Sequence, residues 1–140
     1  AFVLLGFAFV LGGIVISSIG VSTIFVSTDL AYICMTPEMM NAFNENLLPV
    51  LAHDRAGFGS ALLSVGLLVL MLSLWGYQQG NKWVWWTYFI GGLPAFIAGI
   101  YVHFAIGYTT FIHLLPAYVA LLLYVLGLAL SFTFLHKKHN

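Results

Sequence analysis

Residues 83–135, WVWWTYFIGGLPAFIAGIYVHFAIGYTTFIHLLPAYVALLLYVLGLALSFTFL, contain no Asp, Glu, Lys or Arg and form the longest uncharged stretch of the chain. As one helix it would be about 80 Å long at about 1.5 Å per residue, more than twice the roughly 30 Å of a bilayer's hydrocarbon core. The stretch must therefore fold back on itself. We predict the break at residues 107–110, because Gly107 interrupts the apolar pattern there and Pro116 falls early in the next helix.

The rest of the chain is almost as poor in charge. Four Lys or Arg and four Asp or Glu occur among 140 residues, so 6% of the chain is charged and 62% is hydrophobic. A soluble domain has roughly 25% charged residues, so this composition excludes one, and it also excludes disorder. The net charge of zero excludes a nucleic-acid binder, which needs surplus Lys and Arg to neutralise phosphates. The lipid bilayer is the predicted partner.

The uncharged stretches 1–28 and 56–81 are each long enough for one membrane span of about 20 residues. We expect no secretory signal peptide, because Ala1 leads straight into an apolar run without a basic region. The sequence predicts an all-α integral membrane protein in which residues 1–140 form a single four-helix bundle. Its predicted transmembrane helices cover about residues 2–27, 55–79, 83–106 and 111–136.

The polar connection between the first two spans carries the signals of a short helix. Thr36 suits an N-cap, Pro37 the first helical position, and Glu38 the positive end of the helix dipole. We predict an amphipathic interfacial helix over about 37–48. Its apolar residues would be Met39, Met40, Phe43, Leu47 and Leu48.

The few basic residues predict an orientation. Lys82, Lys137 and Lys138 lie on one predicted side of the membrane, and only Arg55 lies on the other. The positive-inside rule therefore favours both termini in the cytoplasm. An aromatic belt at the cytoplasmic interface is predicted from Trp83, Trp85 and Trp86.

If the four spans alternate, most ionisable side chains come to one outer end of the bundle. Such residues are costly at a membrane boundary and usually face the bundle interior or a wet cavity. The predicted set is His53, Asp54, Arg55, His103 and His113, with Asp29 at the end of the first helix.

Small residues lie at helical spacing below these side chains, and small residues let helices approach closely in lipid. We therefore predict that each polar group lies above a row of small residues on the inward face of its helix, which we call a seam. The rows are Gly57, Ser60, Ala61 and Ser64 below His53; Gly99, Ala95 and Gly92 below His103; Ala117 and Ala120 below His113; and Ser22 and Ser18 below Asp29.

Several kinds of site fit this set. A b-type haem needs two imidazoles on facing helices, and His53 with His103 or His113 could supply them. A quinone needs an apolar slot with a few polar groups, which His103, Tyr108 and Arg55 could provide.

A metal site or a purely structural role are the alternatives. A metal could be held by two or three of His53, His103 and His113 with Asp29 or Asp54, since imidazole and carboxylate suit zinc, iron or copper. A metal-dependent membrane enzyme is then conceivable, and the sequence leaves open whether the protein is an enzyme. In the structural alternative, His53, Asp54 and Arg55 form only a local ion-pair and capping cluster.

An accessory subunit without a ligand of its own is the other functional alternative. Glycines at seven-residue spacing on the first helix, and a small-residue row on the third, could dock a membrane-protein partner or a second copy of the chain. These rows are Gly6, Gly13 and Gly20, and Gly91, Ala95 and Gly99.

The run NLLPVLAHDRAGFG at residues 46–59 resembles a signature of uncharacterised bacterial multi-pass membrane proteins. FVSTDL at 25–30 and LWG at 74–76 resemble segments flanking it, so the similarity covers roughly residues 20–130. The resemblance implies a bacterial cytoplasmic membrane protein with His53, Asp54 and Arg55 as functional positions. Some of these proteins are described beside dihydroorotate dehydrogenase-like flavin domains, which implies quinone-linked redox chemistry, and we expect no flavin domain within residues 1–140.

Overall fold

The computed structural model describes residues 1–137, and within this range it contains helices and no strand. Four helices are long and apolar enough to cross a membrane, as the sequence predicts. Lys138, which contributes to the predicted charge bias, lies outside the described residues. The helices are α1 (Phe2–Gly20), α2 (Ser27–Ile33), α3 (Pro37–Phe43), α4 (Leu47–Met71), α5 (Lys82–Ala105) and α6 (Phe111–His136).

The chain divides into two compact units. One contains residues 9–66, from most of α1 to the first four fifths of α4. The other contains residues 1–8 together with the described chain from Leu67 onward, where a π-helical segment (Leu72–Gly76) and a 3-10 turn (Tyr77–Gln79) follow α4.

In the unit of residues 9–66, α1 and α4 approach each other through glycines. A Cβ at Gly20 would lie 2.6 Å from the backbone nitrogen of Ala56, and one at Gly13 would clash with the backbone of Leu63. Gly59 on α4 meets α1 in the same way. The prediction that α1 glycines dock another protein gains no support from this packing, because Gly13 and Gly20 face α4 of the same chain. They serve packing inside the chain, which is the other use of small residues in lipid.

The first helix is shorter than predicted and ends at Gly20 rather than near residue 27. The Ile24 N–H donates to the Ile19 carbonyl at 2.7 Å, and Ile24 takes a φ of 66°, which turns the chain out of the helix. Nearby, the Ser22 hydroxyl donates to the Ser18 carbonyl at 2.6 Å, a local bond that competes with helical backbone pairing. Asp29 consequently lies in α2 and not at the end of the first span.

The predicted helix at 37–48 forms only as α3, Pro37–Phe43. Its start is as predicted, since the Thr36 hydroxyl accepts the Met39 N–H at 3.2 Å. It ends early because Asn44 is extended and its side-chain oxygen accepts the Asn46 N–H at 2.9 Å.

The second long helix begins at Leu47 rather than near residue 55. Pro49 lies in its first turn, where a missing N–H leaves no helical hydrogen bond unmade. His53, Asp54 and Arg55 are therefore inside α4 and not at its N-terminal end.

In the other unit, α5 and α6 form a hairpin joined by two hydrogen bonds from side chains to backbone. The Trp85 indole donates to the Leu128 carbonyl at 2.9 Å, and the Tyr124 hydroxyl donates to the Phe89 carbonyl at 2.6 Å. Gly92 provides the space for the Tyr124 ring. The predicted break at 107–110 is confirmed by the end of α5 at Ala105 and the start of α6 at Phe111.

The predicted seams are only partly present. Ala120 below His113 is buried, and Gly92 below His103 packs against α6. The predicted row of small residues below His53 does not lie on the buried face of α4. All four of its residues are exposed, because α4 buries Gly59 and Gly66 instead. The exposed small residues are Gly57, Ser60, Ala61, Ser64, Ala95, Gly99, Ser18 and Ser22.

Candidate functional site

The turn after α5 fixes the positions of two aromatic rings. Gly107 has a φ of 74°, a left-handed conformation that side chains rarely adopt. Its N–H donates to the Phe104 carbonyl at 3.3 Å, and the Tyr108 N–H donates to the His103 carbonyl at 2.9 Å. This is the Schellman arrangement, which usually brings together the side chains at its two ends. Here the ring centroids of Tyr108 and His103 lie 5.9 Å apart.

His113 lies in the first turn of α6 and completes the cluster. Its Nε2 is 3.1 Å from Nε2 of His103, and its Nδ1 is 3.2 Å from the Tyr108 hydroxyl. Nδ1 of His103 is 2.6 Å from the Gly99 carbonyl, one turn earlier on α5. Tyr108 is buried and both imidazoles are half-buried. We call His103 and His113 the histidine pair.

The partners of the pair determine where its protons lie. A carbonyl oxygen can only accept, so His103 must carry a proton on Nδ1 to bond to Gly99. When both rings are neutral, His113 donates from Nε2 to His103, and the Tyr108 hydroxyl donates to Nδ1 of His113. If His113 instead carries its proton on Nδ1, it donates to the Tyr108 oxygen. Both Nε2 lone pairs then face one another, and a cation between them would stabilise that state.

The geometry of the pair suits a shared metal ion. Metal–imidazole bonds are about 2.0–2.1 Å long, so an ion held by two nitrogens 3.1 Å apart would subtend an angle of about 100°. That angle lies between the octahedral and tetrahedral values. Ligating histidines also usually donate their second N–H to a carbonyl or another oxygen, as Gly99 and Tyr108 allow here.

A second polar cluster lies in the unit of residues 9–66. Oδ2 of Asp29 accepts the Val26 N–H at 3.0 Å and Nη1 of Arg55 at 2.7 Å. The Asp29 side chain is 8% exposed and that of Arg55 is 28% exposed. Arg55, a predicted ligand residue, is therefore held in an ion pair. Its partner is Asp29 on α2, whereas the purely structural interpretation of the sequence grouped Arg55 with His53 and Asp54.

His53 and Asp54 form an exposed pair on α4. Nδ1 of His53 lies 3.0 Å from Oδ1 of Asp54, and the two side chains are 86% and 71% exposed. An exposed ion pair of this kind contributes little stability. Of the predicted site residues, the structure thus brings together His103, His113 and Tyr108 in one cluster, and Asp29 and Arg55 in another. The predicted common level of all of them stays a prediction.

Within residues 1–137, no three His, Cys, Asp or Glu side chains converge to form a metal cage. Comparison of the chain with known protein families, with curated proteins and with solved structures finds no match. The resemblance at residues 46–59 therefore stays a prediction.

The sequence carries a signal for the contact between His103 and Tyr108, although not for the contact between the two histidines. His103, Gly107 and Tyr108 have the spacing of a Schellman motif, in which the residue after the glycine contacts the one five positions before it. The Gly99 carbonyl is a backbone partner and has no sequence signature.

Proposed function

We propose that the protein is a small multi-pass membrane subunit whose histidine pair binds a transition-metal ion. The observation that carries this proposal is the 3.1 Å separation of the two Nε2 atoms, with each Nδ1 held by an oxygen partner. Imidazole favours zinc, copper, iron or nickel over magnesium and calcium, which prefer oxygen ligands.

Two protein nitrogens leave coordination positions open. Structural zinc sites usually have four protein ligands, whereas sites that act on other molecules keep a position for water or substrate. The pair therefore fits a metal that exchanges a ligand, or one completed by a partner protein. Tyr108 would act as a positioning residue, because it accepts the Nδ1 proton of His113 when that ring's Nε2 ligates the metal.

A metal ion fits this turn better than a haem does. A haem iron takes axial ligands from opposite faces of the porphyrin, so the porphyrin would have to pass between the two imidazoles. His103 and His113 stand on either side of a short turn, and the Tyr108 ring lies 4.1 Å from that of His113. The turn would have to open to admit the macrocycle.

We further propose that α3 lies in the interface at the outer face of a bacterial cytoplasmic membrane. Both termini would then lie in the cytoplasm. Met39 and Phe43 on α3 are exposed and would enter the lipid, while Glu38 would remain in water. Its own backbone N–H and the Thr36 hydroxyl donate hydrogen bonds to the Glu38 carboxylate, and these lower its pKa and favour the charged form.

The metal site is tested by titrating the detergent-purified full chain with Zn²⁺ in a calorimeter. We expect one ion per chain. His103→Ala and His113→Ala should each weaken binding by at least about a hundredfold, and Tyr108→Phe by about tenfold. His53→Ala is the matched control and should bind as the wild type does. Equal binding by the wild type and both pair variants would remove the proposal.

A bound quinone is the second candidate. It is favoured by the buried Tyr108 and the two half-buried imidazoles, because this cluster could exchange one of its internal hydrogen bonds for one to a quinone carbonyl. Solvent extraction of gently purified protein should then yield a quinone, and His113→Ala should lower the yield. An extract without quinone would count against this candidate and leave the metal site unaffected.

A further inference from the structure

An open groove runs along the surface of α5 from its first residue to Gly91. Its volume is about 570 Å³, and it is lined by Lys82, Trp83, Trp86, Thr87, Ile90 and Gly91. The Thr87 hydroxyl is used by its own helix, since it donates to the Trp83 carbonyl at 2.8 Å. The groove therefore has a cationic mouth at Lys82 and largely apolar walls.

The floor of the groove exists because residue 91 is a glycine. No atom lies within 4 Å of the position that a Cβ would take at Gly91. The neighbouring Trp86 and Ile90 side chains are 46% and 61% exposed, so they form walls that no other part of the described chain covers.

Among residues 1–137, no counterion lies at the cationic mouth of the groove. None of the acidic side chains in residues 1–137 forms an ion pair with Lys82. The first five residues of α5 also include Trp83 and Trp86, and tryptophan favours the level of the lipid headgroups. An anionic group at that level would neutralise Lys82.

The length of the groove matches one leaflet. From Lys82 to Gly91, α5 rises about 14 Å at about 1.5 Å per residue, close to half of a hydrocarbon core of roughly 30 Å. A ligand with a charged head at Lys82 and an apolar tail reaching Gly91 would lie entirely within the lipids of one leaflet.

We propose that this groove binds one anionic phospholipid. Its phosphate pairs with Lys82, and one acyl chain lies along Trp86 and Ile90 over the bare backbone of Gly91. The charge at the mouth favours an anionic headgroup over a zwitterionic one, because the additional negative charge is paired only in the anionic case. The lipid site needs α5 to cross the membrane and does not depend on the metal site.

Native mass spectrometry of the full chain, with phosphatidylglycerol or phosphatidylcholine added to the detergent, tests the headgroup. We expect the wild type to bind phosphatidylglycerol about fivefold more tightly, the contribution of one lysine near a membrane surface. Lys82→Gln should abolish the preference, and the control Lys137→Gln should retain it. Equal binding of the two lipids by the wild type, or an unchanged preference in Lys82→Gln, would overturn the proposal.

A second variant tests the acyl chain. Gly91→Leu should fill the groove and abolish binding, while Gly57→Leu, the same change at another open helical position, should leave binding intact. Retained binding in Gly91→Leu, or equal loss in both variants, would overturn the assignment of the groove. So would equally tight binding of glycerol phosphate, which has the headgroup charge without the chain.

Discussion

At the scale of single residues, the side chain with the most costly position is Asp29. A buried carboxylate is unfavourable unless it is paired and hydrogen-bonded. Asp29 meets this requirement with Arg55 and the Val26 N–H. Arg55 therefore stabilises the link between α2 and α4, which is a different role from the ligand contact that the sequence indicated.

Arg55→Leu should destabilise the protein by about 3 kcal/mol, because it leaves the Asp29 carboxylate buried without its cation. Thermal unfolding in detergent, followed by circular dichroism, measures the change. Asp54→Asn removes a charge from the exposed pair on the same helix and should change stability by less than about 0.5 kcal/mol. Equal melting of Arg55→Leu and the wild type would show that Asp29 finds another partner.

Gly107→Ala should cost about 1–2 kcal/mol, since a side chain at a φ of 74° is strained. The strain moves Tyr108 away from His113, so Zn²⁺ affinity should fall together with stability. Gly107→Asn should lower stability and Zn²⁺ affinity less than Gly107→Ala does, because asparagine tolerates the left-handed region better than alanine. A normal affinity in Gly107→Ala would mean that the turn does not position the pair.

At the scale of helices, a row of small residues predicts close packing without identifying the partner. On α1 the partner of Gly13 and Gly20 is the chain's own α4. On α5, Gly91 and Gly99 face open space, so the predicted docking of a partner there stays a prediction. The buried face of α4 is ambiguous for the same reason, since this helix has small residues on two faces and only the face with Gly59 is buried.

Gly13→Ala should destabilise the protein by about 1–3 kcal/mol, because the added methyl group overlaps the backbone of Leu63. Gly57→Ala is the matched control on the partner helix. It enters open space and should be neutral, or stabilising by up to about 1 kcal/mol through helix propensity. If the two variants unfold at the same temperature, α1 and α4 leave room for a methyl group at Gly13 and do not pack backbone against backbone there.

At the scale of the whole molecule, the long helices were predictable and their ends were less so. About 20 consecutive residues without charge are typical of a membrane-spanning helix and of few other structures, so the sequence predicts all four long helices. The ends of α1 and α3 depend on serine and asparagine side chains that compete with the helix for backbone hydrogen bonds. Helix propensity describes this competition poorly. At the candidate site, the sequence predicts His103 and His113 as ligand residues, but their direct contact depends on turn geometry that hydropathy does not contain.

The proposed orientation predicts which side of the membrane reaches Cys34, an exposed thiol and the chain's one cysteine. A membrane-impermeant maleimide should label Cys34 in intact bacterial cells. In a Cys34→Ala background, Lys82→Cys should be labelled only after the cells are opened. The reverse pattern would place both termini outside.

Under the proposed function, the histidine pair binds a metal ion through two imidazole nitrogens. Electron paramagnetic resonance of the full chain with one equivalent of Cu²⁺ tests it most directly. We expect nitrogen hyperfine structure from two imidazoles in the wild type and in His53→Ala, and from only one in His113→Ala. A wild-type spectrum without nitrogen ligands, or one that His113→Ala leaves unchanged, would contradict it.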